Sequence, residues 1–272
     1  MLAHVVARPV LERLAGGPGP ATVLGAGRTA AYLRLDDWVV AVTVRGVPLM
    51  PNGVALVAAA PGRPPAGTRV EAGASGLRGP GEWSATWEAT APPAWDPSVP
   101  RLTGADPAAL GARGAAIHSA GVEVGRAAPE AVHALLAAVA GDDPGAAAVA
   151  AEGILGRGPG LTPEGDDLLA AIAAVVAATG RLDARWHAAL APPDLRERTT
   201  PLSATLLELA TAGQVMEPVR ALLDLSPAGA AAWPAALRRL ERVGHSTGPA
   251  YAAGVAAALA LASPTACHQG AP

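Results

Sequence analysis

Gly156-Arg157-Gly158-Pro159-Gly160-Leu161-Thr162-Pro163-Glu164-Gly165-Asp166-Asp167 runs straight into the apolar stretch Leu168 to Ala178, and this junction sets how the second half of the chain is read. Glycines reach backbone conformations closed to other residues. Thr162 followed by Pro163 has the form of an N-cap and a first helical residue, so a helix over Pro163 to Thr179 is expected. Acidic residues in a first turn complement the positive end of the helix dipole by ~0.3–1 kcal/mol each, which makes Glu164, Asp166 and Asp167 an ordinary helix opening on one view. That view leaves unexplained the glycine and proline before the cap and the second aspartate where one would serve. Conformationally demanding loops often carry function, and the stretch is therefore read as a site.

Charge decides what such a site takes. Free N–H groups at a helix start favour an anion, while three carboxylates repel one. A cation resolves the conflict. Magnesium held by Asp166 and Asp167 is expected, with Arg157 offering a further positive contact to a phosphate or carboxylate ligand.

Outward from the loop, helical spacing with capping signals covers Ala128 to Ala140, Gly145 to Leu155, Ala204 to Ala212 and Ala230 to Val243. The first hundred residues read differently. After a short helical pattern over Val5 to Leu14, strands are expected at Thr22 to Leu24, Ala30 to Leu35, Trp38 to Val44, Val54 to Ala59 and Glu82 to Ala89. Gly25, Asp36-Asp37 and Pro51-Asn52-Gly53 mark the turns. Ala91 to Pro107 is proline-rich and reads as a connection. The expected class is α+β, with a β-rich part over 1–100 and a helical part over 101–272 that carries the glycine-rich loop.

Composition narrows the chemistry. Half of the 272 residues are hydrophobic, yet there is no phenylalanine and only two tyrosines, so the core must be packed from small side chains. The chain has no lysine. A Schiff-base mechanism, and with it pyridoxal phosphate (PLP), is excluded, as are a P-loop lysine and a kinase-type lysine. Neither haem nor flavin is expected. A net charge of −3 without an arginine cluster argues against nucleic acid, and Arg238-Arg239 reads as a solvated helix face. The single cysteine, Cys267, rules out an intrachain disulfide, and the six histidines show no zinc spacing. The apolar runs Leu168 to Ala178 and Gly254 to Ala262 are shorter than the ~20 residues that span a bilayer. With no signal-peptide pattern at the N-terminus, a cytoplasmic protein that does not bind a membrane is expected.

Three further motifs invite a function. Gly244-His245-Ser246-Thr247-Gly248 has the form of a hydrolase nucleophile elbow, but Leu237 to Val243 before it reads as a helix and no acid follows Ser246. A helix-to-helix joint is expected instead, with Gly244 ending one helix, Ser246 or Thr247 capping the next, and His245 either facing a ligand or satisfying last-turn carbonyls. Gly25-Ala26-Gly27-Arg28-Thr29-Ala30 fits a loose dinucleotide fingerprint, yet the room before Trp38 is too short for a crossover helix, and it reads as a glycine turn between strands. Arg198-Thr199-Thr200 with Ser203 gathers hydroxyls and an arginine at another helix start, where capping alone would account for them.

In order and spacing, Gly156 to Leu169, Arg198-Thr199-Thr200-Pro201-Leu202-Ser203 and Gly244 to Gly248 resemble the AllH-type subunit family of oxamate carbamoyltransferase. The resemblance covers roughly the last 120 residues, with a fainter likeness over Trp38 to Leu56. It implies a component of an enzyme of allantoin breakdown that interconverts oxalurate plus phosphate with oxamate plus carbamoyl phosphate, working with other subunit types. The positions it carries over are Gly158, Gly160, Thr162, Pro163, Gly165, Asp166, Asp167, Thr199, Thr200, Ser203, Gly244, His245, Ser246 and Gly248. The sequence departs from the pattern at Glu164, where a small hydroxyl residue is usual, and at Pro249-Ala250, where a more polar pair often ends in Asp. On this reading Asp166, Asp167 and His245 are the catalytic candidates. Arg157, Thr162, Arg198, Thr199, Thr200, Ser203, Ser246 and Thr247, with Gly158, Gly160, Gly165, Gly244 and Gly248, would hold a small anionic substrate. The alternative is a non-catalytic nucleotide- or metabolite-binding module that regulates or assembles with a catalytic partner.

Overall fold

A computed structural model describes residues 1–57, 62–81, 83–88, 94–121 and 128–261. Contacts divide the chain into two compact units, Met1–Pro97 and Ser98–Pro272. Strands fill the first and helices the second, so the α+β class expected from the sequence holds.

The first unit is a nine-stranded sheet made of β1 (Ala3–Ala7), β2 (Gly19–Ala26), β3 (Ala30–Leu35), β4 (Trp38–Thr43), β5 (Gly53–Leu56), β6 (Arg69–Gly73), β7 (Gly76–Arg78), β8 (Ser84–Thr86) and β9 (Ala94–Trp95). Their spatial order is β8-β7-β6-β2-β3-β4-β5-β1-β9. Most neighbours are antiparallel, but β4 runs parallel to β5 and β1 parallel to β9. β4 and β5 are buried along their whole length, as strands covered on both faces must be. The parallel step is closed by the Pro51-Asn52-Gly53 turn, where Asn52 Nδ2 donates to Val39 O at 2.9 Å and locks the turn to β4.

Helix α1 (Arg8–Leu14) corrects the reading of Val5 to Leu14 as one helix, because Val5 to Ala7 pair in the sheet and Pro9 in the first turn sets the helix start. β9 likewise lies within the stretch read as a connection. Strands β6 and β7 gave no signal in the sequence reading. The expected strand ends at residues 58, 59, 82 and 89 lie outside the described residues, as does the tail holding Cys267.

The helical unit comprises α2 (Pro107–Ser119), α3 (Pro129–Ala140), α4 (Pro144–Glu152), α5 (Glu164–Ala178), α6 (Ala184–Leu190), α7 (Leu195–Arg198), α8 (Pro201–Thr211), α9 (Glu217–Leu223), α10 (Pro227–Leu240) and α11 (Thr247–Leu261). Helix α5 is the axis of this unit, with every residue from Gly165 to Val176 buried. It packs on α8 and α11. Small residues permit the approach: a Cβ added to Gly254 of α11 would lie 2.6 Å from Ala171 Cβ, and one added to Gly114 of α2 would lie 2.6 Å from Ala256 O. Among the described residues no helix is long and apolar enough to cross a membrane.

Candidate functional site

Three segments distant in sequence meet at the start of α5. The loop 156–163, the start of α8 and the start of α11 are joined there by side-chain hydrogen bonds. Thr162 Oγ1 and Thr247 Oγ1 lie 2.7 Å apart, Thr200 Oγ1 donates to Leu161 O at 2.5 Å, and the Thr199 hydroxyl donates to Asp166 Oδ2. Gly156 N–H donates to Asp166 Oδ1 at 2.7 Å. Asp166 therefore ties the glycine loop to the end of α7, with both carboxyl oxygens engaged.

The loop folds back on the helix it precedes. Gly165 N–H donates to Arg157 O at 2.9 Å, and the N–H groups of Asp166 and Asp167 both return to Pro163 O. Pro163, not Thr162, is the N-cap residue, and the Thr162 hydroxyl is spent on Thr247 instead. Glycine at 156 and 158 serves close approach within the protein: an added Cβ would lie 2.5 Å from Arg198 O and 2.8 Å from Glu164 N respectively. The donors expected to face a ligand at this helix start are thus largely taken by the chain itself.

The capping reading of the second segment holds at the same time, and that of the third is corrected: α10 ends at Leu240 with Glu241 as its C-cap residue, three residues before Gly244, and the Thr247 hydroxyl meets Thr162. Thr200 caps α8 by accepting from Ser203 N–H at 3.1 Å, with Pro201 in the first turn. Gly244 has φ +62°, and Ser246 O accepts the N–H of Ala250 at 2.9 Å, opening α11. Ser246 lies in a turn between α10 and α11, so the strand that a nucleophile elbow requires is missing. Gly27 N–H donates to Ala30 O at 2.7 Å between antiparallel β2 and β3, so the loose dinucleotide fingerprint is a hairpin turn.

At the centre sits a buried carboxyl pair. Asp166, Asp167 and Ser203 are each 2% exposed. Burial pushes the Asp166 carboxyl up, against the pull of Thr199, Gly156 and Ser203. Asp167 is pushed up further, first by burial and then by the Asp166 and Glu164 charges, and the Thr247 and Thr162 hydroxyls ease the rise. These hydroxyls do not give Asp167 Oδ2 a hydrogen bond: among the described residues it has no partner, and neither has Ser203 Oγ, which lies close enough to Asp166 to influence its charge without completing a hydrogen bond. An unmet buried polar group costs about 1–3 kcal/mol, so two of them in one cluster ask for a reason. Tyr251, four residues after Thr247 on α11, is buried beside them, and its phenol is pushed well up by burial and then by the Asp167 and Asp166 charges.

Magnesium, expected on Asp166 and Asp167, would meet one carboxyl that the chain already engages. The ion requires near-octahedral oxygen ligands and keeps several waters, whereas Asp166 is fully engaged by neutral donors. Among the described residues no group of three or more His, Cys, Asp or Glu side chains gathers to hold a metal.

The rim is open where the base is closed. Arg157, Gly158, Pro159, Gly160, Leu161, Gly244 and His245 are exposed, while Ser246 is half-buried and Gly248 buried. Arg157 has no ion-pair partner among the described residues. Arg198, half-buried, reaches Asp194 Oδ1 at 3.8 Å and Glu152 O at 3.5 Å. Its side chain borders a cavity of about 50 Å³ lined by residues including Ala151, Leu155, Leu169 and Leu190. The sequence reading missed Tyr251, the Leu161 carbonyl and the Gly156 N–H. Only Tyr251 carried a legible signal, its place one turn beyond Thr247.

Residues 154–259 match the family model described as "Oxamate carbamoyltransferase subunit AllH", which bears out the resemblance over the segments that form this cluster. Trp38 to Leu56 lies outside the matched stretch. No curated protein and no solved structure matches the chain.

Proposed function

We propose that the chain is a component of a carbamoyltransferase that converts oxalurate and phosphate to oxamate and carbamoyl phosphate, with other subunits completing the enzyme. In that reaction a phosphate oxygen attacks the carbamoyl carbon, the bond from that carbon to the oxamate nitrogen breaks, and the nitrogen takes up a proton. One observation carries the reading: the segments matched by the family meet on a buried carboxyl pair whose environment favours its protonated form. A carboxyl whose proton is held above the usual carboxylate range is suited to supply one to a leaving nitrogen. Asp167 is the better placed of the two, because Asp166 is occupied in joining loop and helix. Arg157, exposed on the loop, is suited to the substrate's carboxylate.

Carbamoyl phosphate formation from oxalurate and phosphate, measured with partner subunits in the presence and absence of this chain, tests the reading. A strict requirement for the chain is expected, and equal rates in both mixtures would refute it. A second reading is a non-catalytic binding module that controls a catalytic partner. It is favoured by the self-occupied N–H groups at the start of α5, and it predicts ligand binding by this chain with turnover residing wholly in the partner.

A further inference from the structure

We infer that Asp167, with Ser203 in the same cluster, receives the carboxamide end of a small substrate at the start of α5 and so selects –CO–NH2 over a carboxylate of equal size. The inference rests on the carbamoyltransferase reading and names the end of the substrate that this cluster grips.

The cluster is otherwise committed. Thr199 and Gly156 serve Asp166, Thr200 serves Leu161 O, and Thr162 and Thr247 serve each other. Two vacancies remain, Asp167 Oδ2 and Ser203 Oγ, on side chains 2% exposed. Adding a proton to Asp167 does not fill its vacancy; it turns an unmet acceptor into an unmet donor. A carboxamide offers a donor and an acceptor on one carbon. It accepts from Asp167 as an acid and donates to Asp167 as a carboxylate, and it can also meet a hydroxyl that does either. A carboxylate offers acceptors alone and is repelled by an ionised Asp167. An ammonium offers donors alone. Of these three groups, only the carboxamide suits every state of Asp167.

The outer end of such a substrate has a partner as well. Arg157 stands exposed on the loop, and its own carbonyl binds the first turn of α5 through Gly165 N–H. A carboxylate held by the Arg157 guanidinium and a carboxamide held by Asp167 describe a short acid with an amide at its far end. The end so gripped is also the one whose nitrogen gains a proton in the proposed transfer.

The test is calorimetric titration of the full chain with oxamate and with oxalate, which differ only in carboxamide against carboxylate, for wild type, Asp167→Asn and Asp167→Leu. Wild type is expected to bind oxamate at least about tenfold more tightly than oxalate, since a site built around a polar group rejects the analogue that lacks it. Asp167→Asn keeps a donor and an acceptor and retains the preference, and Asp167→Leu loses it. In the assembled enzyme, Asp167→Asn lowers kcat by about 100-fold with little change in KM, because the amide has no proton to give. Comparable affinities for oxamate and oxalate in wild type, or unchanged oxamate affinity in Asp167→Leu, would overturn the inference. No oxamate binding by wild type would do the same and would assign the vacancy to ordered water. Selective oxamate binding without carbamoyl phosphate formation by the assembly would sink the transferase reading alone. Turnover unaffected by Asp167→Asn would sink the proton-supplying role given to Asp167 under the proposed function, and not the carboxamide selection.

Discussion

The turn at Pro51-Asn52-Gly53 and the start of α5 both bury polar side chains behind a glycine, but they use them differently. Asn52 is completely buried, and its amide donates to Val39 O thirteen residues away, one strand over. It answers a need of the sheet, holding the chain that leads into β5 alongside the parallel β4. Asp166, Asp167, Thr162, Thr199 and Thr247 come from segments up to 85 residues apart. They join helix starts that α-helical hydrogen bonding and capping could have completed one by one. Asn52 Oδ1 is also unpartnered, so a vacancy alone does not mark a site. What distinguishes the α5 cluster is a vacancy on an ionisable group amid hydroxyls drawn from three segments, where local structure demands none of them. Local partners mark the scaffold, and distant partners around a buried carboxyl single out the candidate site.

The comparison breaks most severely if the close approach at the joint is unnecessary. A Cβ added to Gly248 would lie 1.8 Å from Leu240 O, so Gly248→Ala must displace α10 from α11. A loss of about 3 kcal/mol or more in chemical denaturation is expected. A near-neutral effect would mean that the joint is slack and the convergence of the three segments incidental.

Asp166→Ala comes next. It strands the Gly156 N–H and the Thr199 hydroxyl, at an expected cost of about 2–4 kcal/mol in equilibrium unfolding. Asn52→Ala, which removes one side-chain hydrogen bond to Val39 O, should cost about 1–3 kcal/mol and leave ligand binding in the helical unit untouched. If Asn52→Ala abolished binding, the division between scaffold and site would fail.

A smaller effect, with a sharper signature, belongs to Asp167. Its folded carboxyl releases the proton at higher pH than the unfolded value of 3.8, so the folded state holds more protons between those two points. Stability from this group is complete below about pH 4 and is lost as pH rises through the folded value. Asp167→Asn should flatten that decline, so that the difference from wild type shifts in the variant's favour as pH rises. Parallel stability curves for the two proteins would show that burial does not hold the proton. The smallest expected effect is the coupling of Thr162 to Thr247, about 0.5–1.5 kcal/mol in a double-mutant cycle of Thr→Val changes.

The α+β class and the helix over α5 were legible because period and capping signals are local. Ala30–Leu35 emerged as β3 with the bounds read from the sequence, and α3 began one residue away from its expected start. The short strands β6 and β7 were not legible, since three to five residues with no long alternation take their strand character from their neighbours in the sheet. The misreading of Val5 to Ala7 has the same origin. Apolar spacing there fits a helix, and pairing with β5 and β9 overrides it.

By itself the sequence determined that a glycine-rich loop opens a buried helix, that lysine chemistry is excluded, and which three segments resemble one family. The tertiary structure decided what those segments are to one another. Glycine and threonine in a motif state only that close approach and hydroxyl bonding are possible. Whether a hydroxyl caps its own helix or reaches another element depends on side chains brought within 3 Å by packing, and so does whether a carboxyl lies in water or in a low-dielectric interior. Asp166 and Asp167 read from the sequence as charged groups awaiting a cation. Burial among the starts of α5, α8 and α11 made one a tie between segments and left the other a carboxyl pushed toward its protonated form with Oδ2 unpartnered among the described residues, because ionisation is governed by the surrounding medium as well as by the residue's identity.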